Sequence, residues 1–199
     1  MESKSSKTII DARNLTRIYP LGDSEVIGIN TIDLSIAAGE LVVLKGDSGS
    51  GKSTLLSLLA GLDRPTRGEL TVAGHDLTRA TPANLTHFRR EVVGMVFQAF
   101  NLMPTLNVLE NTSLPGLLAG KKTAAVRSKA TELLDWLGLS RRRGHLPAQL
   151  SGGEMQRTAI ARALINDPDI IIADEPTGNL DSRNGQIVVD LLAELNRKW

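Results

Sequence analysis

The sequence has no cysteine. That excludes a disulfide framework, a thiolate metal site and a cysteine nucleophile, and it suits a reducing compartment. The three histidines, His75, His87 and His145, lie scattered along the chain and leave little from which to build a zinc site. Charge of one sign is also lacking. The 23 Lys and Arg residues stand against 22 Asp and Glu, a net charge of +1, and so balanced a chain is not expected to take nucleic acid as its main partner. No long apolar run is present: the densest, residues 41–44 (LVVL) and 170–173 (IIIA), fall far short of the roughly 18 residues a membrane-spanning helix needs. The opening residues carry no apolar stretch before Asp11, so a secretory signal is not expected and the expected compartment is the cytoplasm.

What is present is ordinary for a globular domain. Apolar residues make up 41% and charged residues 23% of 199, enough for one large domain or a domain with a small inserted lobe. Residues 8–36 alternate polar and apolar, clearest at Ile32, Leu34 and Ile36, which predicts half-buried strands joined through a turn-rich stretch at 20–28. Residues 37–40 (AAGE) read as a hairpin turn. Residues 41–45 (LVVLK) are continuously apolar with β-branched members, predicting a strand covered on both faces that runs into a glycine loop and an apolar helix. A strand at 67–73, a polar helix at 82–91 and a strand at 92–97 follow.

From about 99 to 165 the pattern turns helical. A segment at 108–118 is interrupted by Pro115. In the next, 122–137, Ala125, Lys129, Leu133, Trp136 and Leu137 recur at helical spacing and Gly138 serves as C-cap. Ser151 followed by Glu154 is a capping box for a helix from about 152 to 165. After Pro168 comes a second buried strand, 170–174 (IIIAD), and then a helix at 183–197 with Ile187, Val188, Leu191, Leu192 and Leu195 on one face. The alternation predicts an α/β fold: a mostly parallel sheet with covering helices, strands of an antiparallel kind at the N-terminus, and a helical lobe inserted at about 99–165.

Three strings carry chemistry. Residues 46–53 (GDSGSGKS) fit a phosphate loop, with the strand before and helix after that such a loop requires. Gly46, Gly49 and Gly51 let backbone N–H groups converge on a phosphate, and the following helix turns its positive end to the same anion. Lys52 is placed to reach the β- and γ-phosphates and Ser53 to offer a hydroxyl to Mg²⁺. The second string, 170–176 (IIIADEP), ends a buried strand in Asp174, a carboxylate for Mg²⁺, followed by Glu175, a candidate general base. The third, 150–157 (LSGGEMQR), puts Ser151, Gly152 and Gly153 at a helix start, a second anion-binding surface. Two phosphate-binding helix ends in one chain suggest two nucleotides shared between two chains.

Together these residues resemble the ATP-binding-cassette ATPases over essentially the whole chain. VFQ ending at Gln98 looks like the family's Q-loop, LSGGEMQR like its signature, IIIADEP like its Walker B strand and GNLD ending at Asp181 like its D-loop, all in the family's order. Tyr19, in TRIYP, matches the aromatic that stacks on adenine. The stretch FQAFNLMPTLNVLENTSLP further resembles the branch serving lipoprotein release and macrolide export. The resemblance implies a P-loop NTPase core with an N-terminal antiparallel β subdomain and an inserted helical subdomain, one ATP-binding domain over residues 1–199. It implies ATP and Mg²⁺ as ligands and a transport-coupled ATPase as the activity. Lys52, Gln98 and Glu175 would be catalytic; Tyr19, Gly46, Asp47, Ser48, Gly49, Ser50, Gly51, Lys52, Ser53, Thr54, Ser151, Gly152, Gly153 and Asp181 would bind nucleotide; Ser53, Gln98 and Asp174 would hold the metal. It implies a head-to-tail homodimer, an integral membrane permease as partner docked by the helical lobe, and a peripheral place on the cytoplasmic face of the inner membrane.

One departure stands against the pattern. The family places a γ-phosphate-contacting His on a strand after the D-loop helix, and none of His75, His87 and His145 occupies such a position. The expectation is therefore a domain cut short before that strand. Two alternatives follow: a nucleotide-binding fragment that does not hydrolyse, and a soluble cassette ATPase acting on DNA or ribosomes. Against the latter, the interval from Gln98 to Ser151 is too short for a long coiled coil, and there is no second phosphate loop.

Overall fold

The structure, a computed structural model, describes residues 7–198. The segment read for a secretory signal lies partly outside the described residues, as does the terminal Trp199. The chain divides into two compact units, one running up to Arg89 and rejoined from Leu195 onward, the other spanning Arg90–Glu194.

The first unit is built on an antiparallel sheet. Strands β1 (Thr8–Leu21) and β2 (Ser24–Ala37) pair from Thr8↔Ala37 to Leu21↔Ser24. The expected turn-rich stretch shrinks to a tight turn at Gly22, whose φ of 59° a glycine adopts without strain. On the other side of β1 runs β3 (Arg67–Val72), followed by the short β4 (His75–Asp76), giving the order β2-β1-β3-β4. Alternation buries Ile10, Ala12, Leu15, Leu70 and Val72. Helix α1 (Lys52–Leu59) adds Leu58 and Leu59, and α2 (Pro82–Glu91) adds Leu85 and Phe88. Truncating a fully buried leucine such as Leu15 to alanine costs about 2–5 kcal/mol.

Residues 41–45 correct the sequence reading. No ladder among the described residues includes them, and Leu41, Val42 and Val43 are 57%, 46% and 70% exposed. The AAGE turn forms, with the Glu40 carboxylate accepting from the Ala37 N–H at 3.0 Å, but it leads into an unpaired segment instead of the second arm of a hairpin. Apolar β-branched composition supplies a preference for pleated backbone; a strand exists only where a neighbour takes its N–H and C=O groups.

The second unit carries a parallel pair. Strands β5 (Val93–Phe97) and β6 (Ile170–Asp174) run in register from Val93↔Ile170 to Phe97↔Asp174. Parallel neighbours need a long crossover. Helices α3 (Val108–Leu118), α4 (Thr123–Trp136) and α5 (Gly152–Leu164) provide it, which accounts for the helical stretch read at 99–165. Helix α3 continues through Pro115: the proline offers no N–H to the Asn111 carbonyl, yet the Ala119 N–H still reaches the Pro115 carbonyl at 3.0 Å. Asn111, fully buried, anchors the preceding loop by donating to the Met103, Leu106 and Asn107 carbonyls.

In α4 the buried stripe is Val126, Ala130, Leu133, Leu134 and Leu137, a face rotated by about one residue from the expected one; Ala125 faces solvent. Gly138, φ 70°, closes a Schellman end: its N–H bonds the Asp135 carbonyl and the Leu139 N–H bonds that of Leu134. The last helix, α6 (Ser182–Lys198), forms as expected, with Val188 buried but Ile187 exposed. The fold is α/β: an antiparallel N-terminal sheet, a parallel strand pair and an inserted set of helices.

Candidate functional site

In the first unit the loop at 46–51 precedes α1, whose N-cap Gly51 stands at φ 89° and ψ 7°. Gly49 also has a positive φ, 79°. The Lys52 ammonium points back over the loop, donating to the carbonyls of Gly46 at 2.8 Å and Asp47 at 2.7 Å and to the Ser50 hydroxyl at 3.3 Å. A turn bond from the Ser50 N–H to the Asp47 carbonyl, 3.2 Å, closes the same loop. The loop residues themselves are exposed. A cation held at the centre of a solvent-facing loop, ahead of a helix N-terminus, is a geometry that receives a polyphosphate.

Tyr19 lies close by. A Cβ placed on Gly28 would come within 2.8 Å of the Tyr19 ring and 2.9 Å of Thr54 Cγ2, so the absence of a side chain at Gly28 lets the tyrosine and the first turn of α1 approach one another. Gly51 packs on the same residue: a Cβ at Gly51 would fall 2.3 Å from the Gly28 carbonyl oxygen. Tyr19 is half-buried and donates its hydroxyl to Asp63 Oδ2 at 2.9 Å, while the Arg17 guanidinium lies 4.4 Å from its ring centroid.

In the second unit the chemistry-bearing residues sit at the carboxyl ends of the two parallel strands. The register Phe97↔Asp174 sets Gln98 and Glu175 each one residue beyond a strand end. Glu175 has φ 45°, a left-handed conformation that costs a non-glycine residue about 1–2 kcal/mol, and its carbonyl accepts from the Gly178 N–H at 2.9 Å. Gln98 is held by residues 178 and 179. Its carbonyl accepts from Asn179 Nδ2 at 3.0 Å, and its side chain lies so close to Gly178 that a Cβ there would be 2.5 Å from Nε2. Arg162 of α5 donates to the Phe100 and Asn101 carbonyls, tying down the loop after Gln98.

The helix start at Ser151 is a complete capping box. The Ser151 N–H donates to the Glu154 carboxylate at 2.8 Å and the Glu154 N–H to the Ser151 hydroxyl at 3.3 Å. Bonding from the Ser151 N–H, together with the Arg142 guanidinium at 2.7 Å and the Ser151 hydroxyl, holds the Glu154 carboxyl down to about 2 although burial opposes it. Gly153 packs against α6: a Cβ would meet Asn184 Oδ1 at 2.4 Å. Asp181 caps α6, accepting from the Asn184 N–H at 3.0 Å and from its side chain at 2.6 Å, bonds that hold the Asp181 carboxyl below the usual range.

The structure thus gathers Gln98, Asp174, Glu175, Ser151, Gly153 and Asp181 in one unit and the phosphate loop, Thr54 and Tyr19 in the other. Sequence reading missed Arg17, Gly28, Asp63, Asn179 and Asn184. Each acts through a contact far along the chain or through a missing side chain, and no spacing pattern signals that. For the histidines, His75 stands edge-on to Phe88, with centroids 5.5 Å apart, and Arg142 Nη1 approaches His145 Nε2 at 3.4 Å.

An α/β fold with a glycine loop opening a helix, and with acidic residues at the end of a parallel strand, defines a P-loop nucleotide-binding core. The family model described as "ABC transporter" matches residues 29–178, and the chain belongs to that family; it is an ATP-binding cassette. It is 48% identical over 188 residues to the macrolide export ATP-binding/permease protein MacB of Rhodopseudomonas palustris, covering 94% of this chain and 29% of that protein. It is 47% identical over 193 residues to the uncharacterized ABC transporter ATP-binding protein YbbA of Escherichia coli, covering 97% and 85%. The ATP-binding cassette MJ0796, solved as a dimer in a post-hydrolysis state bound to ADP and Pi, superposes with a TM-score of 0.87 at 41% identity, covering 95% of this chain and 83% of that one. The chain therefore spans under a third of MacB and most of YbbA.

Proposed function

We propose that the chain is the ATP-hydrolysing subunit of a transporter of the export or lipoprotein-release branch, working as a head-to-tail homodimer on a separate membrane permease. The observation that carries the reading is the phosphate loop with Lys52 Nζ held over it by Gly46 and Asp47. The dimeric MJ0796 cassette and the fusion of cassette and permease in MacB's name support the two partners. Among the described residues no helix is long and apolar enough to cross a membrane, which suits a peripheral subunit on the cytoplasmic face.

In this reading Tyr19 stacks on adenine, residues 46–54 wrap the phosphates and Lys52 neutralises the β- and γ-phosphoryl charge. Ser151, Gly152 and Gly153 of a second copy close over the same nucleotide, with Asp181 at the copy-to-copy seam. Ser53 offers a hydroxyl, Gln98 an amide carbonyl and Asp174 a carboxylate, each an oxygen donor of the kind that would hold a hard cation such as Mg²⁺. Mg²⁺ bound with the nucleotide would supply charge neutralisation on the phosphates. Gln98 orients the attacking water, and Glu175 takes its proton as the water oxygen bonds the γ-phosphorus and the bridging oxygen departs with ADP.

The test is isothermal titration of ATP with Mg²⁺ into wild type and Lys52→Ala. Wild type should bind and the variant should lose at least about 100-fold in affinity with its thermal melting unchanged, because a charge-assisted contact to phosphate is removed and no core packing is. Equal affinities would overturn the reading.

A further inference from the structure

We propose that Arg17 and Asp63 are positioning residues that hold the Tyr19 ring with one face committed to the protein and the other presented to a planar purine base; the inference rests on the nucleotide-binding reading above. Asp63 Oδ2 accepts from both Arg17 Nε, at 2.8 Å, and the Tyr19 hydroxyl, at 2.9 Å, while Oδ1 accepts from the Arg64 N–H at 2.7 Å. One carboxylate thus fixes the far end of the ring and the guanidinium that covers it. Arg17 lies 4.4 Å from the ring centroid, a cation–π distance. The Arg17 and Asp63 side chains are only 23% and 24% exposed, so the pair is sheltered from the screening that weakens surface ion pairs.

A packing tyrosine needs no such arrangement: it would be enclosed on both faces, whereas Tyr19 is half-buried. The ring also stands at a set distance from the phosphate loop, because Gly28 receives the ring edge on one side and Thr54 on the other. Tyr19 is therefore anchored at its hydroxyl, on one face and along one edge, beside the helix turn that begins at Lys52. A ring locked in this way loses little side-chain entropy when a base stacks on it. Asp63 lies 44 residues from Tyr19 in sequence, in the turn after α1, so the clamp ties the end of β1 to the end of the helix that follows the glycine loop.

The test separates the base from the phosphates of the ligand. ATP and inorganic tripolyphosphate, each with Mg²⁺, are titrated into the full chain carrying Tyr19→Ala, Arg17→Gln, Arg17→Lys or Asp63→Asn. Tyr19→Ala should weaken ATP about 10-fold, in the range of one lost stacking contact, and leave tripolyphosphate unchanged. Arg17→Gln and Asp63→Asn should each weaken ATP about 3- to 10-fold with tripolyphosphate again unchanged, and Arg17→Lys, which keeps a cation over the ring, should recover part of the loss. Arg17→Gln added to Tyr19→Ala should change nothing further, since its effect passes through the ring. The chain has a single tyrosine, so fluorotyrosine labelling gives one ¹⁹F resonance, expected to shift with ATP in wild type and to be broadened in Arg17→Gln.

A loss of tripolyphosphate binding equal to that of ATP, an additive loss on the Tyr19→Ala background, or an unchanged ATP affinity in Arg17→Gln would each overturn the proposal. ATP binding that depends on Lys52 but is indifferent to Tyr19→Ala overturns this inference alone. An absence of Lys52-dependent ATP binding in wild type overturns the nucleotide reading and this inference with it.

Discussion

The two units fix their candidate groups by different means. In the first, backbone freedom shapes the glycine loop, where Gly49 and Gly51 take positive φ and Lys52 at the head of α1 is held by the loop's own carbonyls, and side-chain contacts hold Tyr19 beside it. In the second, side-chain contact fixes the groups. Gln98 is wedged against Gly178 and held by Asn179, Gly153 meets Asn184, and Glu175 accepts a left-handed conformation that glycine would take more easily. Among the described residues Glu175 is one of seven non-glycine residues at positive φ, so it is its carboxylate one residue beyond the Asp174 strand end, and not the conformation, that makes it a candidate base. The difference separates binding from turnover: changes in the first unit should show in affinity, changes in the second in rate and in association.

The sharpest break of that comparison is Glu175→Gln. It keeps the shape at φ 45° and removes the proton acceptor, so turnover should fall about 10²- to 10⁴-fold while ATP affinity stays within about 3-fold of wild type. With hydrolysis stopped, an ATP-bound dimer should accumulate in size exclusion with ATP and Mg²⁺, and adding Ser151→Arg should disperse it. A double variant that still dimerises counts against the shared site. A smaller effect is expected at Gly178→Ala, where the new methyl would sit 2.5 Å from Gln98 Nε2 and must push that side chain aside. Steady-state ATPase should drop roughly 10-fold with titrated ATP affinity unchanged. A matching fall in affinity would erase the division between the units.

Much of this was legible in the sequence because it is local. The Ser151 and Glu154 capping box and the Gly138 helix end each lie within a few residues and formed as the spacing predicts; of the context expected for the 46–53 loop, the helix from Lys52 formed and the preceding strand did not. The parallel strands β5 and β6 followed from their apolar runs and the helical interval between them. What failed depends on partners. Residues 41–45 have the composition of a buried strand but find no ladder among the described residues, and α4 turns a neighbouring face inward because packing, not periodicity, chooses among adjacent stripes. Asp63 reads as an ordinary turn residue, since nothing near it in sequence announces the Tyr19 hydroxyl.

The smallest predicted effect concerns acid. Glu154 is held down to about 2 from an ordinary 4.5 by the Ser151 N–H first, then by Arg142 and the Ser151 hydroxyl against opposing burial. A carboxyl depressed in the folded state binds fewer protons there than in the unfolded chain. Its contribution is therefore complete above about 4.5 and is lost as pH falls toward about 2. Glu154→Gln keeps an oxygen for the Ser151 N–H but loses the charge facing Arg142, so the variant should be less stable at pH 7 by about 1 kcal/mol, the scale of one helix cap. The gap to wild type should close as both are acidified through that window. Thermal melts at pH 7, 4.5 and 3 measure it. A gap that stays constant or widens on acidification would mean that the capping box holds α5 through shape alone, and that its charge contributes nothing to the helix start where Ser151 and Gly153 are presented.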